Sequence, residues 1–197
     1  MWDVRYSSEE YIYGTEPNDF LREMAVQLPK GGTVLSLAEG EGRNAVWLAK
    51  QGLQVTGIDA SAVGLVKAQR LAEEQGVRIE TVHVNLAEAD LGEARWDGIV
   101  SIFCHLPPTL RKRVHRQVVQ ALKPGGLFLL EAYTVRQLEF GTGGPPDPEL
   151  MMDLVSLGEE LAGLNIEHGV ELVREVREGR LHSGKGAVVQ FIARKPV

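Results

Sequence analysis

The chain has a single cysteine, Cys104, among 197 residues, so no disulfide can form within it and nothing points to an oxidising compartment. Long apolar runs are missing as well. No stretch approaches the ~18 residues needed to cross a bilayer, and the opening MWDVRYSSEEYIYG holds no signal-peptide core. A cytoplasmic protein without a membrane partner is the expectation. Positive charge is in deficit, with 21 Lys and Arg against 27 Asp and Glu and a net charge of -6. That balance argues against a nucleic-acid partner, because phosphate neutralisation needs a concentrated basic excess. The five histidines, His83, His105, His115, His168 and His182, show no ligand spacing, and one cysteine cannot complete a set, so no metal site is expected. Internal repeats and low-complexity segments are also missing. What remains, 44% hydrophobic and 24% charged residues, is ordinary for one globular domain able to bury its own core.

The chain does have a regular alternation of strand and helix signals. Short apolar runs at 33–37 (TVLSL), 54–58 (QVTGI), 78–84 (RIETVHV), 96–103 (WDGIVSIF) and 127–133 read as strands. Helical spacing lies between them, in Ala45–Ala49, Ala62–Gln75 and the stripe Leu110, Val114, Val118, Ala121 and Leu122 behind Pro107 and Pro108. Such alternation predicts an α/β fold, a mostly parallel sheet with helices on both faces. After Tyr133 the rhythm changes. A Gly/Pro loop at 141–148, a helix over 149–161 and two strands at 169–177 and 185–194 predict an antiparallel hairpin finish, which makes seven strands. One domain, 1–197, follows, divided into a lid-like N-terminal segment (1–32), a βα core (33–133) and a C-terminal helix and hairpin (134–197).

The stretch LSLAEGEGRNA, Leu35 to Ala45, sits where an open α/β sheet binds its ligand, beyond the carboxyl end of strand one. Gly40-x-Gly42-x-x-Ala45, with Asp59 downstream, satisfies a loose dinucleotide fingerprint. Gly40 and Gly42 permit close backbone approach. Glu39 and Glu41 would oppose a pyrophosphate, at ~1 kcal/mol for each close charge pair in water. They would suit the α-ammonium and sulfonium of S-adenosylmethionine (SAM). Asp59 suits either ligand, since both present vicinal ribose hydroxyls; its other role would be a helix cap, which Ser61 can fill instead.

These residues carry a family resemblance. LSLAEGEGRNAVWLA, VTGIDAS, WDGIV and LKPGGLFLLEAY, in that order, resemble the motifs of class I SAM-dependent methyltransferases, whose fold is Rossmann-like. The opening WDVRYSSEEYIYGTEPNDFL resembles the small-molecule enzymes grouped with tellurite-resistance and thiopurine methyltransferases. The resemblance implies SAM as cofactor and a small-molecule methyl acceptor, a soft sulfur, selenium or tellurium nucleophile among the candidates. It implies that Ala38, Glu39, Gly40, Glu41, Gly42, Arg43 and Asn44 wrap the methionine part and that Asp59 holds the ribose. Ala60 would then lie under the adenine, Asn85 and Leu86 near its amino group, and Phe103 near the methionine end. One departure stands out. Family members commonly carry an acid on strand one and a glycine two positions later, where this chain has Ser36 and Ala38. Glu39 or Glu41 is the expected replacement partner for the cofactor ammonium.

Methyl transfer is an in-line displacement whose main demand is orientation, with a base needed only for acceptors such as hydroxyls. No catalytic residue is assigned from the sequence. His105 has two readings, a group that contacts or deprotonates the acceptor or a polar lead-in to a helix. Tyr13 and Tyr133 line the acceptor pocket or pack in the core. His182, in the hairpin connection, is expected in solvent, and Cys104 reads as a small buried hydrophobe. The basic run Arg111, Lys112, Arg113, His115 and Arg116 reads as a solvated helix face. The rival functions are a SAM-binding protein without turnover and a nicotinamide-dependent oxidoreductase.

Overall fold

The computed structural model describes residues 2–197. Seven strands form one sheet: β1 (Thr33–Leu37), β2 (Gln54–Asp59), β3 (Glu80–His83), β4 (Trp96–Ile102), β5 (Leu122–Tyr133), β6 (Asn165–Glu178) and β7 (His182–Arg194). Their spatial order is β3-β2-β1-β4-β5-β7-β6. The first five are parallel, and β7 runs antiparallel to both β5 and β6. The expected α/β class and hairpin finish are therefore observed.

Alternation along each strand divides the apolar residues between two faces. Val34, Val55, Val100 and Leu129 face one core with α2 (Asp19–Met24), α3 (Arg43–Lys50) and α4 (Ala62–Glu74). Leu35, Leu37, Ile99 and Phe128 face the other, with α5 (Pro108–Ala121) and α6 (Leu154–Glu160). Side chains end the helices where propensity alone would not. Asn18 caps α2 by accepting from Leu21 N, and Ser61 caps α4 by accepting from Gly64 N.

The structure departs from the sequence expectations in several places, and Leu122, expected on the helical stripe, begins β5. A short helix, α1 (Trp2–Tyr6), begins the N-terminal segment. The helix expected over 149–161 is split: a 3-10 turn at Pro148–Leu150 precedes α6, whose start is set by the Asp153 cap. The basic run is only partly solvated, because Arg111 and His115 turn inward to Glu160 of α6, at 2.9 and 2.7 Å. Finally, β6 and β7 are longer than their apolar runs. Tyr133, the last residue of β5, pairs with Val188, so the six residues from 182 to 187 continue ~20 Å past the sheet edge. The tip of that hairpin reaches the N-terminal segment, where Arg180 N donates to Ile12 O at 3.0 Å.

Candidate active site

Strand order reverses between β1 and β4, and the chain leaves both strands in strained conformation. Ala38 follows β1 with φ +50° and Phe103 follows β4 with φ +51°. Each left-handed non-glycine residue costs ~1–2 kcal/mol. Gly40 and Gly42, at φ +63° and +96°, continue the turn. The two glycines have different reasons. A Cβ on Gly42 would come within 2.6 Å of Ala68 Cα, so this glycine lets the loop pack on α4. A Cβ on Gly40 would meet the Tyr6 hydroxyl at 2.7 Å.

The loop carboxylates are held by the protein itself. Glu39 accepts a hydrogen bond from the Ser36 hydroxyl and another from Ala45 N at 2.9 Å. Ala45 is in the first turn of α3, where the Gly42 cap has no side chain to offer. Glu39 therefore caps α3 from outside the helix. Burial pushes its carboxyl up to about 7, against the pull of the Ala45 and Ser36 donors. Glu41 is ion-paired with Lys67 of α4 and accepts from Ile12 N at 2.9 Å and Tyr13 N at 3.4 Å. Arg43 reaches Glu178 at 2.6 Å, and Asn44 Oδ1 accepts from Asn18 N at 3.0 Å.

Asp59, at the end of β2, is buried and accepts from Gly40 N at 2.8 Å and Ser61 N at 2.7 Å. Desolvation raises its carboxyl above the usual range despite those donors. Ala60 is exposed, and its carbonyl lies 3.0 Å from His83 Nε2. Asn85 follows β3 and organises a turn, its Oδ1 accepting from Ala87 N at 2.8 Å. Leu86 beside it is buried in the α5-side core.

The N-terminal segment lies across this loop. Asp3 accepts from the Ser61 hydroxyl at 2.5 Å, and Lys67 Nζ donates to the carbonyls of Ser8 and Glu10 at 2.9 and 2.7 Å. Asn18 then enters a buried charge network. Its Nδ2 donates to Glu131 at 2.8 Å and to Glu178 at 2.7 Å. Arg174 pairs with both carboxylates, and Gln190 donates to Glu131 at 2.6 Å. The cations around Glu178, Arg43 first, hold its carboxyl down to about 2 despite burial.

On the β4–β5 side, aromatic rings from four separate segments converge. Phe103 stacks on Tyr133 at 4.5 Å and meets His182 edge-on at 4.9 Å. Tyr13 lies 4.6 Å from His182, and His105 stacks on Tyr133 at 5.8 Å. His182 is only 8% exposed, which corrects the solvent placement expected from a hairpin connection. The long hairpin folds the ring under the N-terminal segment, a contact no local pattern encodes. His105 has both ring nitrogens engaged, Nδ1 at 3.0 Å from Leu150 O and Nε2 accepting from Tyr133 N at 3.4 Å. Burial lowers it to about 4, so it is neutral. Cys104 is buried, with its thiol pushed up to about 12 by desolvation. Among the described residues, no group of three or more His, Cys, Asp or Glu side chains is arranged to hold a metal ion.

The chain is similar to known proteins. Residues 34–126 match the family model described as a methyltransferase domain. A Geobacillus protein named as a methyltransferase is 33% identical over 151 residues, which are 69% of this chain and 60% of that protein. The chain thus spans about 60% of the length of this curated relative. The crystal structure of a SAM-dependent methyltransferase from Methanosarcina mazei superposes with a TM-score of 0.69 at 21% identity, covering 92% of this chain and 99% of that one. TehB from Haemophilus influenzae superposes with a TM-score of 0.74 at 20% identity, covering 98% and 65%. Residues 34–126 are thus similar to a methyltransferase domain, the fold is that of solved SAM-dependent methyltransferases, and SAM is the cofactor of such a domain.

Proposed function

We propose that this chain, through its SAM-dependent methyltransferase domain, methylates a small-molecule acceptor held beside Phe103. The observation that carries the reading is the pair of strained residues, Ala38 and Phe103, at the ends of adjacent strands, with the buried Asp59 carboxylate one strand away. SAM supplies an electrophilic methyl group on a sulfonium. The chain's own task is to hold, align and dry the reacting groups.

The residues fit that ligand. Lys67 neutralises Glu41, which leaves Glu39 and Asp59 as buried carboxylates with no ion-pair partner among the described residues. With Glu39 protonated below about 7, the buried charge beside the loop is that of Asp59, joined by Glu39 as pH rises, and it favours a cationic ligand over a pyrophosphate. Each Asp59 oxygen accepts one backbone N–H and has a further lone pair for a ribose hydroxyl. In this reading the backbone of Ala38, Glu39, Gly40, Glu41, Gly42, Arg43 and Asn44 wraps the methionine part. Ala60, Asn85 and Leu86 border the adenine, and the Phe103 ring faces the sulfonium, a favourable cation–π placement. Tyr6 lies over Gly40 and swings away to admit the ligand, so the N-terminal segment works as a lid. Tyr13, Tyr133 and His105 wall the acceptor side, with His105 as a fixed neutral surface and not a base.

Titration calorimetry with S-adenosylhomocysteine, repeated with NADH, tests the reading. Binding of the first alone is expected, and binding of NADH alone would overturn it. A panel of thiol, selenite and tellurite acceptors, followed by release of S-adenosylhomocysteine, then separates turnover from binding without turnover.

A further inference from the structure

We infer that His182 accepts the acceptor's proton and that the acceptor is a planar aromatic hydroxyl compound; the inference rests on the methyltransferase reading above. His182 is buried, and its Nδ1 has no hydrogen-bond partner among the described residues. A buried polar atom left unpaired costs free energy, and a partner that arrives in the working state is one way to recover it. The nearest candidate is Glu178, whose Oε2 lies 3.9 Å from Nδ1, about 1 Å beyond hydrogen-bond distance. Arg43, Asn18 and Arg174 anchor that carboxylate. A small closure therefore makes an Nδ1–H to Glu178 bond. That bond fixes the tautomer and leaves the Nε2 lone pair as a base, the carboxylate–imidazole logic of hydrolase triads.

The surroundings define the ligand. Tyr13 from the N-terminal segment, Phe103 after β4 and Tyr133 at the end of β5 all face the His182 ring, at 4.6, 4.9 and 5.4 Å. His105 lies behind Tyr133, and Arg5 donates to the Tyr13 hydroxyl at 3.1 Å. Walls made of rings select a flat aromatic molecule, which takes the place of Tyr13 against the His182 ring. A base matters only if the acceptor arrives protonated, which singles out a hydroxyl over a thiolate. The acceptor oxygen forms its bond to the methyl carbon while the carbon–sulfur bond breaks and its electron pair stays on sulfur. The hydroxyl proton passes to Nε2, Glu178 stabilises the imidazolium, and solvent removes the proton afterwards.

The experiment uses 2-naphthol and 2-naphthalenethiol, matched in shape but not in acidity, with the full chain and its His182→Asn and His182→Phe variants. Release of S-adenosylhomocysteine from 2-naphthol is expected to fall about 100-fold in kcat/KM or more, and at least about 30-fold further than release from the thiol. Equal losses with both acceptors, or no loss, would overturn the assignment. A readout on the unaltered protein guards against variants that fail to fold. The ¹⁵N ring signals of His182 should shift when 2-naphthol is added to the S-adenosylhomocysteine complex, and unmoved signals overturn the inference. If the unaltered protein binds S-adenosylhomocysteine but turns over neither acceptor, this inference fails and the methyltransferase reading does not. Failure to bind S-adenosylhomocysteine overturns that reading itself.

Discussion

Replacing Glu39 with glutamine should change how stability depends on pH. Burial raises the Glu39 carboxyl from 4.5 to about 7 in the folded protein, a displacement of about 3 kcal/mol between protonation states. The folded state binds this proton more tightly than the unfolded chain. Its contribution is therefore fully present below about pH 4.5 and is lost as pH rises through about 7. His105 works in the opposite sense. Burial lowers it from 6.5 to about 4, so the unfolded chain takes up a proton that the folded protein refuses, and stability rises with pH between those values. His182 is lowered in the same way. The opposing slopes overlap between about pH 4.5 and 6.5, so the wild-type profile alone hides Glu39. Glu160 and Glu178, held near 2, act below that window.

The difference between wild type and Glu39→Gln cancels the histidines and isolates the carboxyl. Glutamine keeps an oxygen for Ala45 N and a partner for Ser36, so the fold should survive. Urea unfolding at pH 5 and pH 8 is the assay. The variant should gain about 2.5 kcal/mol on wild type between the two conditions. A difference that stays constant to within about 0.5 kcal/mol would refute the claim that Glu39 carries a buried, displaced proton.

Two further outcomes follow from buried groups. Lys67→Met leaves Glu41 without its cation and removes the donors to Ser8 and Glu10. It should cost about 3–5 kcal/mol and lower Tm by about 6–20 °C in calorimetry, while Lys67→Met with Glu41→Gln recovers much of the loss; a single variant as stable as wild type refutes a stabilising role for the buried Lys67–Glu41 pair. Cys104 is buried and its thiol is pushed up to about 12, so Ellman's reagent should label the unfolded chain and leave the native protein unlabelled for hours.

Much of the fold was legible in the sequence because its causes are local. Thr33–Leu37, the post-helix Gly52 and Gly76, and Ser61 ahead of α4 each state their role within a few residues. What escaped was non-local. The helix at Trp2–Tyr6 lies on α4 and the loop, and five residues carry too little periodicity to reveal it. Arg111 and His115 looked solvated because their partner, Glu160, lies more than forty residues away on another helix. His182 looked exposed because a hairpin connection is exposed unless something covers it, and here the cover comes from Tyr13.

Ser36 shows how a departure from a motif becomes intelligible in three dimensions. An acid beside the N-terminus of a helix meets unpaired amides that favour its charge. Here the strand offers a hydroxyl, and a carboxylate from three residues later folds back onto it and caps α3 at Ala45. Gly57, opposite Ser36 on β2, leaves room for the longer side chain, since a Cβ there would come within 3.0 Å of Glu39 Cγ. Ser36, Glu39 and Gly57 therefore form one unit. Restoring an acid at position 36 while keeping Glu39 would place two buried carboxylates in hydrogen-bond contact, so only the exchange of both residues preserves the site.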